Sequence, residues 1–290
     1  QFDGSYHNWF ESRNKTVVGM EQCLLLSVDD ATGKITEAMF EYNEGVVPVF
    51  KFWKGYFEDK GLPTAIYLDK FSTYKVNHKN AVDNEELMTQ FERAMNQLGV
   101  KVIHANSPQA KGRVEKMNGT LQRRLAKEMR LKKINTIPEA NTFLKEIFIP
   151  KFNHQFAVVP KNKSDLHQKL NNDKKNELGK VLSIQSERII NNDYTVRFKN
   201  NHYQLTETQS ITVYKKDKIT IEEHLSGEVK ISIRNHYLNY FCLPERPKKE
   251  IDVNLAALTT KLPVSWKPSA NHPWRRAFLF TKKQPILTAV

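Results

Sequence analysis

Two cysteines, Cys23 and Cys242, are too few for a disulfide framework and too far apart in sequence for a Cys-x-x-Cys metal site. Both are expected to be reduced and structural. The nine histidines are scattered, with no pair at helical ligand spacing beside a cysteine pair, so a structural zinc is not supported. No run approaches the roughly 18 consecutive apolar residues that a membrane helix needs. The opening QFDGSYHNW lacks the basic and apolar regions of a signal peptide, which makes a cytoplasmic setting the expectation. Gln1 in place of methionine suggests a fragment whose natural start lies upstream. Acidic residues are missing altogether from 261–290, where six Lys/Arg stand alone.

What is present is positive charge, and it is concentrated. The 290 residues carry a formal net charge of +13, yet residues 1–100 hold 10 Lys/Arg against 15 Asp/Glu, and residues 101–134 hold 10 against 2. Charge gathered in this way points to a polyanionic partner. With 39% hydrophobic residues the chain can bury a full core.

Alternating segments at Phe2 to Tyr6, Cys23 to Val28 and Ile35 to Tyr42 predict a β-meander, with Asp30-Ala31-Thr32-Gly33 turning between the last two. Val46 to Glu58 repeats apolar residues at helical spacing and is stopped by Gly61-Leu62-Pro63. A short apolar strand, Ala65 to Leu68, leads into Asp69. Glu85 to Leu98 reads as a second helix closed by Gly99, and Val100 to His104 as another strand. Ser107-Pro108 starts a long helix with Val114, Met117, Leu121, Leu125 and Met129 in one stripe. A further helix follows from about Pro138 to Phe148. This order predicts an α/β fold with a ribonuclease-H-like, mixed five-stranded sheet and flanking helices.

Residues 1–158 would form that core. Residues 159–176, rich in Lys, Asn and Asp, read as a linker, and residues 177–243 as a small all-β, barrel-like domain or sandwich. Its strands are expected at Ser186 to Ile190, Thr195 to Phe198, Asn201 to Leu205, Ser210 to Tyr214, Lys218 to Glu222 and Glu228 to Ile233. Residues 244–290 read as an extended Pro/Lys-rich basic tail, in which Trp266, Trp274, Arg275 and Arg276 either clamp DNA or a second subunit or simply carry charge.

Three acids fall where this topology converges: Asp3 in the first strand, Asp69 at the carboxyl end of the first parallel strand, and Glu115 on the helix after the last one. Packed carboxylates repel unless a dication neutralises them. Oxygen ligands without cysteine suit Mg²⁺ or Mn²⁺. Two such ions about 3.5–4 Å apart suit in-line phosphoryl displacement. Asp29 and Asp30 compete as ligands, but Asp-Asp-Ala-Thr-Gly is better read as a hairpin turn. Tyr6, His7 and Trp9 could reach DNA, although aromatics beside a strand are more often core. Lys111, Asn118, Gly119 and Gln122 share the helix face of Glu115 and are expected to line the same edge, with Lys111, Asn118 and Gln122 facing DNA phosphates. Arg113, Lys116, Arg123, Arg124, Lys127 and Arg130 flank the apolar stripe and are expected to form a basic groove for a DNA backbone.

The sequence resembles insertion-sequence transposases of the ISNCY type. The resemblance rests on FDGSYHNWFE at 2–11, LLLSVDDATGKITEAMF at 24–40, YLDKFSTYKVN at 67–77, ANSPQAKGRVEKMNGTLQRRLAKEMR at 105–130 and NHPWRRAF at 271–278. It implies a retroviral-integrase-like DDE core that cleaves transposon-end DNA and joins it to a target, working as a homo-oligomer on DNA. Asp3, Asp69 and Glu115 would take the metal-ligand roles. The 46-position step from Asp69 to Glu115 is longer than that usual in retroviral integrases, so a surface loop is expected at Lys75 to Glu86. A noncatalytic, transposon-derived DNA-binding protein and a ribonuclease-H-like nuclease are the alternatives.

Overall fold

The computed structural model describes residues 1–11, 21–69, 84–105, 108–162, 164–244 and 272. A meander opens the chain. Strands β1 (Phe2–His7), β2 (Gln22–Val28) and β3 (Ile35–Glu41) pair antiparallel in that order. The run QCLLLSV of β2 is buried at every position, because both faces of this central strand are covered. Side chains alternate across a strand, so Cys23 and Leu25 enter one core while Leu24, Leu26 and Val28 enter another. The β2–β3 turn closes on Asp29, whose carboxylate accepts from the Thr32 backbone amide at 2.9 Å and from the Thr32 hydroxyl.

The first core is covered by α1 (Val46–Lys60), which contributes Val49, Phe50, Phe52, Trp53, Tyr56 and Phe57, and by α2 (Asn84–Leu98), which contributes Phe91, Ala94, Met95 and Leu98. Gly61 ends α1 at φ 89°, and a Cβ there would stand 2.5 Å from the carbonyl oxygen of Gln168. Only glycine satisfies both conditions. Between these helices run β4 (Ala65–Asp69) and β5 (Lys101–Ala105), a parallel pair. The opposite face of the meander is covered by α3 (Pro108–Leu131), α4 (Ile137–Phe143), a π turn at Leu144–Phe148, and α5 (Ile149–Phe156). A capping box starts α4: the Thr136 side chain accepts from the Glu139 backbone, and Glu139 returns the bond.

The single five-stranded sheet expected from the sequence is hydrogen-bonded here as two ladders, β1-β2-β3 and β4-β5. β1 and β4 are neighbours. Their seam is closed by apolar packing, Phe2 sharing a core with Ile66 and Leu68. The outer edge of β3 is closed by side chains: Asn141 of α4 exchanges two bonds with the backbone of Phe40, at 2.7 and 3.1 Å, and Asn153 of α5 exchanges two with Ile35, both 2.8 Å. Each amide stands in for a neighbouring strand.

The stretch read as a linker contains the start of a helix, α6 (Asn172–Val181). Asn171 caps it through Lys174 N, and Leu178 and Leu182, four apart, are fully buried in the first core. Upstream, Gln168 bridges Leu62, and His167 Nε2 lies 2.8 Å from the Tyr56 hydroxyl.

Two small antiparallel sheets follow: β6 (Ile184–Ile189), β9 (Lys218–Glu223), β10 (Val229–Ile233) and β11 (His236–Tyr237) in the order β11-β10-β9-β6, and β7 (Thr195–Phe198), β8 (Asn201–Leu205) and β12 (Tyr240–Leu243) in the order β12-β8-β7. They share a core that includes Val196, Tyr203, Ile221 and Ile231. They are separate ladders packed on one core, the sandwich form of the barrel or sandwich expected. Ser210 to Tyr214 is not a strand. Ile211 and Val213 do pack on that core, but the chain is turned just before them by Gln209, whose amide bonds the carbonyls of Thr206 and Asn239.

Gln1–Cys242 forms one compact unit and Leu243–Val290 a second. Of the second only 243, 244 and 272 are described. Trp266, Trp274, Arg275 and Arg276 therefore lie outside the described residues, as does most of the loop expected at Lys75 to Glu86, whose last positions begin α2. Among the described residues no helix is long and apolar enough to cross a membrane.

Candidate functional site

The long helix α3 packs on β1 and β2 and is held to β1 by two side-chain amides. Asn118 Nδ2 donates to Asp3 Oδ2 at 2.7 Å, and Gln122 Nε2 meets Ser5 Oγ at 3.1 Å. The spacing has a simple geometric basis. Two residues of strand advance about 6.6–6.8 Å and present the same face, and four residues of helix advance about 6 Å with side chains stacked on one face. Asp3 and Ser5 therefore match Asn118 and Gln122 rung for rung.

Glu115 lies one turn before Asn118, about 4.5 Å along the helix axis, and is exposed. Asp3 is half-buried. The helix thus carries this second acid three residues before its contact with Asp3. The backbone of Asp69 pairs in register with Ala105, just upstream of α3. The side chains of Asp69 and Lys111 lie outside the described residues. Among the described residues no three His, Cys, Asp or Glu side chains are gathered as metal ligands. Asn118, expected on the edge that carries Glu115, is 7% exposed and turned onto Asp3. Gln122 is likewise half-buried on Ser5.

The other face of β1 is differently built. Gly4 leaves room for the carboxylate of Glu44, which occupies the place a Cβ would fill. Burial, reinforced by the negative charges of Glu44 and Asp3, pushes the Cys23 thiol well above its ordinary range. A thiol held protonated at neutral pH is a poor nucleophile or soft ligand, which suits the structural role expected for it. Tyr6 donates no charge here either: its hydroxyl accepts from Glu44 N at 2.9 Å, and burial raises it to about 12. Trp9 is fully buried with its indole N–H on Ser5 O, and His7 meets it edge-on. Asp29 is the turn residue described above. Asp30 is engaged by Gln1 and Arg113.

No protein-family model matches the chain. A Sinorhizobium fredii protein described as a transposase, y4bF, is 36% identical over 240 residues, 83% of this chain and 51% of that protein. The transposase for insertion sequence IS1202 of Streptococcus pneumoniae is 30% identical over 279 residues, 95% of this chain and 57% of its own length. The chain is homologous to transposases. It spans about half the length of these curated relatives. Among solved structures, a chain from the cryo-EM structure of the simian T-cell lymphotropic virus intasome in complex with PP2A regulatory subunit B56 gamma aligns with a TM-score of 0.40 and 12% identity. That alignment covers 84% of this chain and 78% of that one, a likeness too loose to define a fold.

Helix α3 divides its basic residues into two groups. Arg113 is paired with Asp30 at 3.0 Å, Arg130 with Glu11 at 3.1 Å, and Arg124 with Glu128 at 3.3 Å while it also lies over the Phe156 ring. These three brace the fold. Lys116, Arg123 and Lys127 are exposed, as Arg113 and Arg130 are, but have no ion-pair partner among the described residues. They recur at seven and then four positions, so they form one stripe along the helix beside the edge that carries Glu115. Sequence periodicity alone could not set Arg113 and Arg130 apart, because Asp30 and Glu11 come from distant segments, whereas Arg124–Glu128 is an i,i+4 pair within α3.

Proposed function

We propose that this chain is the catalytic part of a DNA transposase, a polynucleotidyl transferase with a ribonuclease-H-like core and a DDE triad of Asp3, Asp69 and Glu115. The observation that carries the reading is the Asn118–Asp3 bond, which docks α3 on β1 with Glu115 one turn before Asn118 on the helix. Homology to transposases over most of the chain supports it.

The donor set suits a hard dication, since Asp3 and Glu115 offer carboxylate oxygens. Asp3, Asp69 and Glu115 would together hold Mg²⁺ or Mn²⁺, two ions in the full site. Such ions neutralise charge on the phosphodiester and stabilise the attacking and leaving oxygens of an in-line displacement. The protein's own part is to fix the carboxylates and bind the DNA. Asn118 orients Asp3. Lys116, Arg123 and Lys127 run beside the site and would track successive phosphates, placing the scissile bond over the acids. The nucleophile would be water for cleavage and a DNA 3′-hydroxyl for joining. Holding two transposon ends calls for more than one copy of the chain on DNA.

Labelled transposon-end duplex and an RNA–DNA hybrid, each offered with Mn²⁺, separate this reading from a hybrid-cutting nuclease. Nicking at the transposon end and joining to a second duplex are expected. Cleavage of the hybrid alone would replace the transposase reading with the nuclease one, and salt-sensitive DNA binding without cleavage of either substrate would favour a noncatalytic binding protein.

A further inference from the structure

Asn118 has chemistry that core packing does not account for. It is 7% exposed, its Nδ2 is spent on Asp3, and its Oδ1 is buried with no hydrogen-bond partner among the described residues. A half-satisfied buried amide is costly, and leucine would fill a similar volume without that cost. What the amide supplies and leucine cannot is a directed bond to one carboxylate oxygen. That bond holds only if α3 keeps its axial position, and Gln122 secures it one turn later on Ser5. The neighbouring contacts of α3 are apolar, among them Val114, Leu121 and Leu125, and apolar contact is tolerant of sliding.

We infer that Asn118 is a positioning residue for Asp3, and that Gln122 sets the helix register in which it acts. The inference rests on the proposed metal site. Asn118 restricts the rotation of the Asp3 carboxylate, so that the carboxylate is presented to a dication in one orientation before the dication arrives. Partners of metal-ligating carboxylates commonly change metal affinity 10–100-fold when removed. Gln122 acts less directly, by keeping Asn118 opposite Asp3, and its loss has a smaller effect in the same direction.

The test is Mn²⁺ binding to the full chain without DNA, followed by calorimetry or the electron-spin resonance of the free ion, on the parent, Asn118→Ala, Asn118→Leu, Gln122→Ala and Asp3→Asn. The parent binds and Asp3→Asn does not. Both Asn118 variants bind about 10–100-fold more weakly, and Gln122→Ala falls between them and the parent. Metal-free circular dichroism and the unfolding midpoint of Asn118→Leu remain near those of the parent. Saturating Mn²⁺ returns most of the DNA-joining rate to the Asn118 variants, a recovery that a general packing defect would not give. Parental Mn²⁺ affinity in a folded Asn118→Leu would overturn the inference and leave the metal site standing. Failure of both Asn118 variants to fold would also overturn it, making the residue part of the core. A parent that binds no Mn²⁺, or binds it equally in Asp3→Asn, would overturn the metal reading and this inference together.

Discussion

Asn141 treats Phe40 as one strand treats another, accepting from its backbone N–H at 2.7 Å and donating to its carbonyl at 3.1 Å. Asn153 does the same for Ile35. Together they occupy the hydrogen-bonding edge of β3 with side chains from helices that also cover one face of the sheet. An unpaired edge is a template for pairing with another chain.

Replacing either asparagine with alanine should cost about 1–3 kcal/mol, since it leaves strand groups unsatisfied. Urea unfolding would measure the loss. The double variant should in addition associate with rising concentration, seen as a shift in light-scattering mass. Parental stability with no association would show that the edge is protected by other means.

Lys116, Arg123 and Lys127 should govern DNA binding differently from Arg113, Arg124 and Arg130. Each alanine in the first group should flatten the dependence of log K on log salt by about 0.9 for each phosphate lost, with little change in thermal stability. Alanine in the second group should lower stability modestly, through lost pairing or packing, and change the slope less. Fluorescence anisotropy on one duplex at several salt concentrations checks both. Equal slope changes in the two groups would contradict the division.

The β-sheet module is attached through α2. The Gln90 amide exchanges two bonds with the backbone of Gln185, and Arg93 donates to the carbonyls of Val181 and Ser183, the latter at 2.6 Å. Burial lowers the Arg93 guanidinium to about 10, which still leaves it charged at neutral pH. Arg93→Ala should destabilise the chain by about 1.5–3 kcal/mol, and hydrogen exchange in β6 should accelerate before that in α1. Arg93→Lys should rescue only partly, because an ammonium cannot reproduce the planar fork. Unchanged exchange in β6 would rule out this latch.

Tyr56 predicts a limit at high pH. Burial pushes its phenol up to about 12 from its ordinary value of 10.0. Between these values the folded chain retains a proton that the unfolded chain has lost, so stability falls as pH rises through that window. Its contribution is full below pH 10. Tyr56→Phe should remove this part of the alkaline loss, measured as unfolding midpoint against pH. An identical alkaline profile in the variant would assign the loss to other groups.

Much of the element order was legible in the sequence because it is written in local periodicity. The strand and helix run from Phe2 to Leu131 follows alternation, helical stripes and glycine stops. What escaped depends on distant partners. α6 hides in an Asn/Lys-rich stretch, since its burial rests on only Leu178 and Leu182. Ser210 to Tyr214 alternates like a strand, but a side-chain network from Thr206, Gln209 and Asn239 redirects the chain. At the site, helical spacing put Asn118 on the same face as Glu115. Whether that face met solvent or β1 depended on how α3 docks, and the structure sets Asn118 against Asp3. Arg113 and Arg130 were indistinguishable from Arg123 for the same reason, since Asp30 and Glu11 reach them from distant segments.

The most direct test of the account is DNA strand joining by the parent chain and by Asp3→Asn, Asp69→Asn and Glu115→Gln, with Mn²⁺ and a duplex that ends in a free 3′-hydroxyl. These changes preserve side-chain size while removing charge. The parent is predicted to join only when the dication is present, and each variant to lose joining while keeping its fold and its salt-dependent grip on DNA. Joining that persists in any folded variant, or that proceeds in the parent without a dication, would contradict the proposed triad.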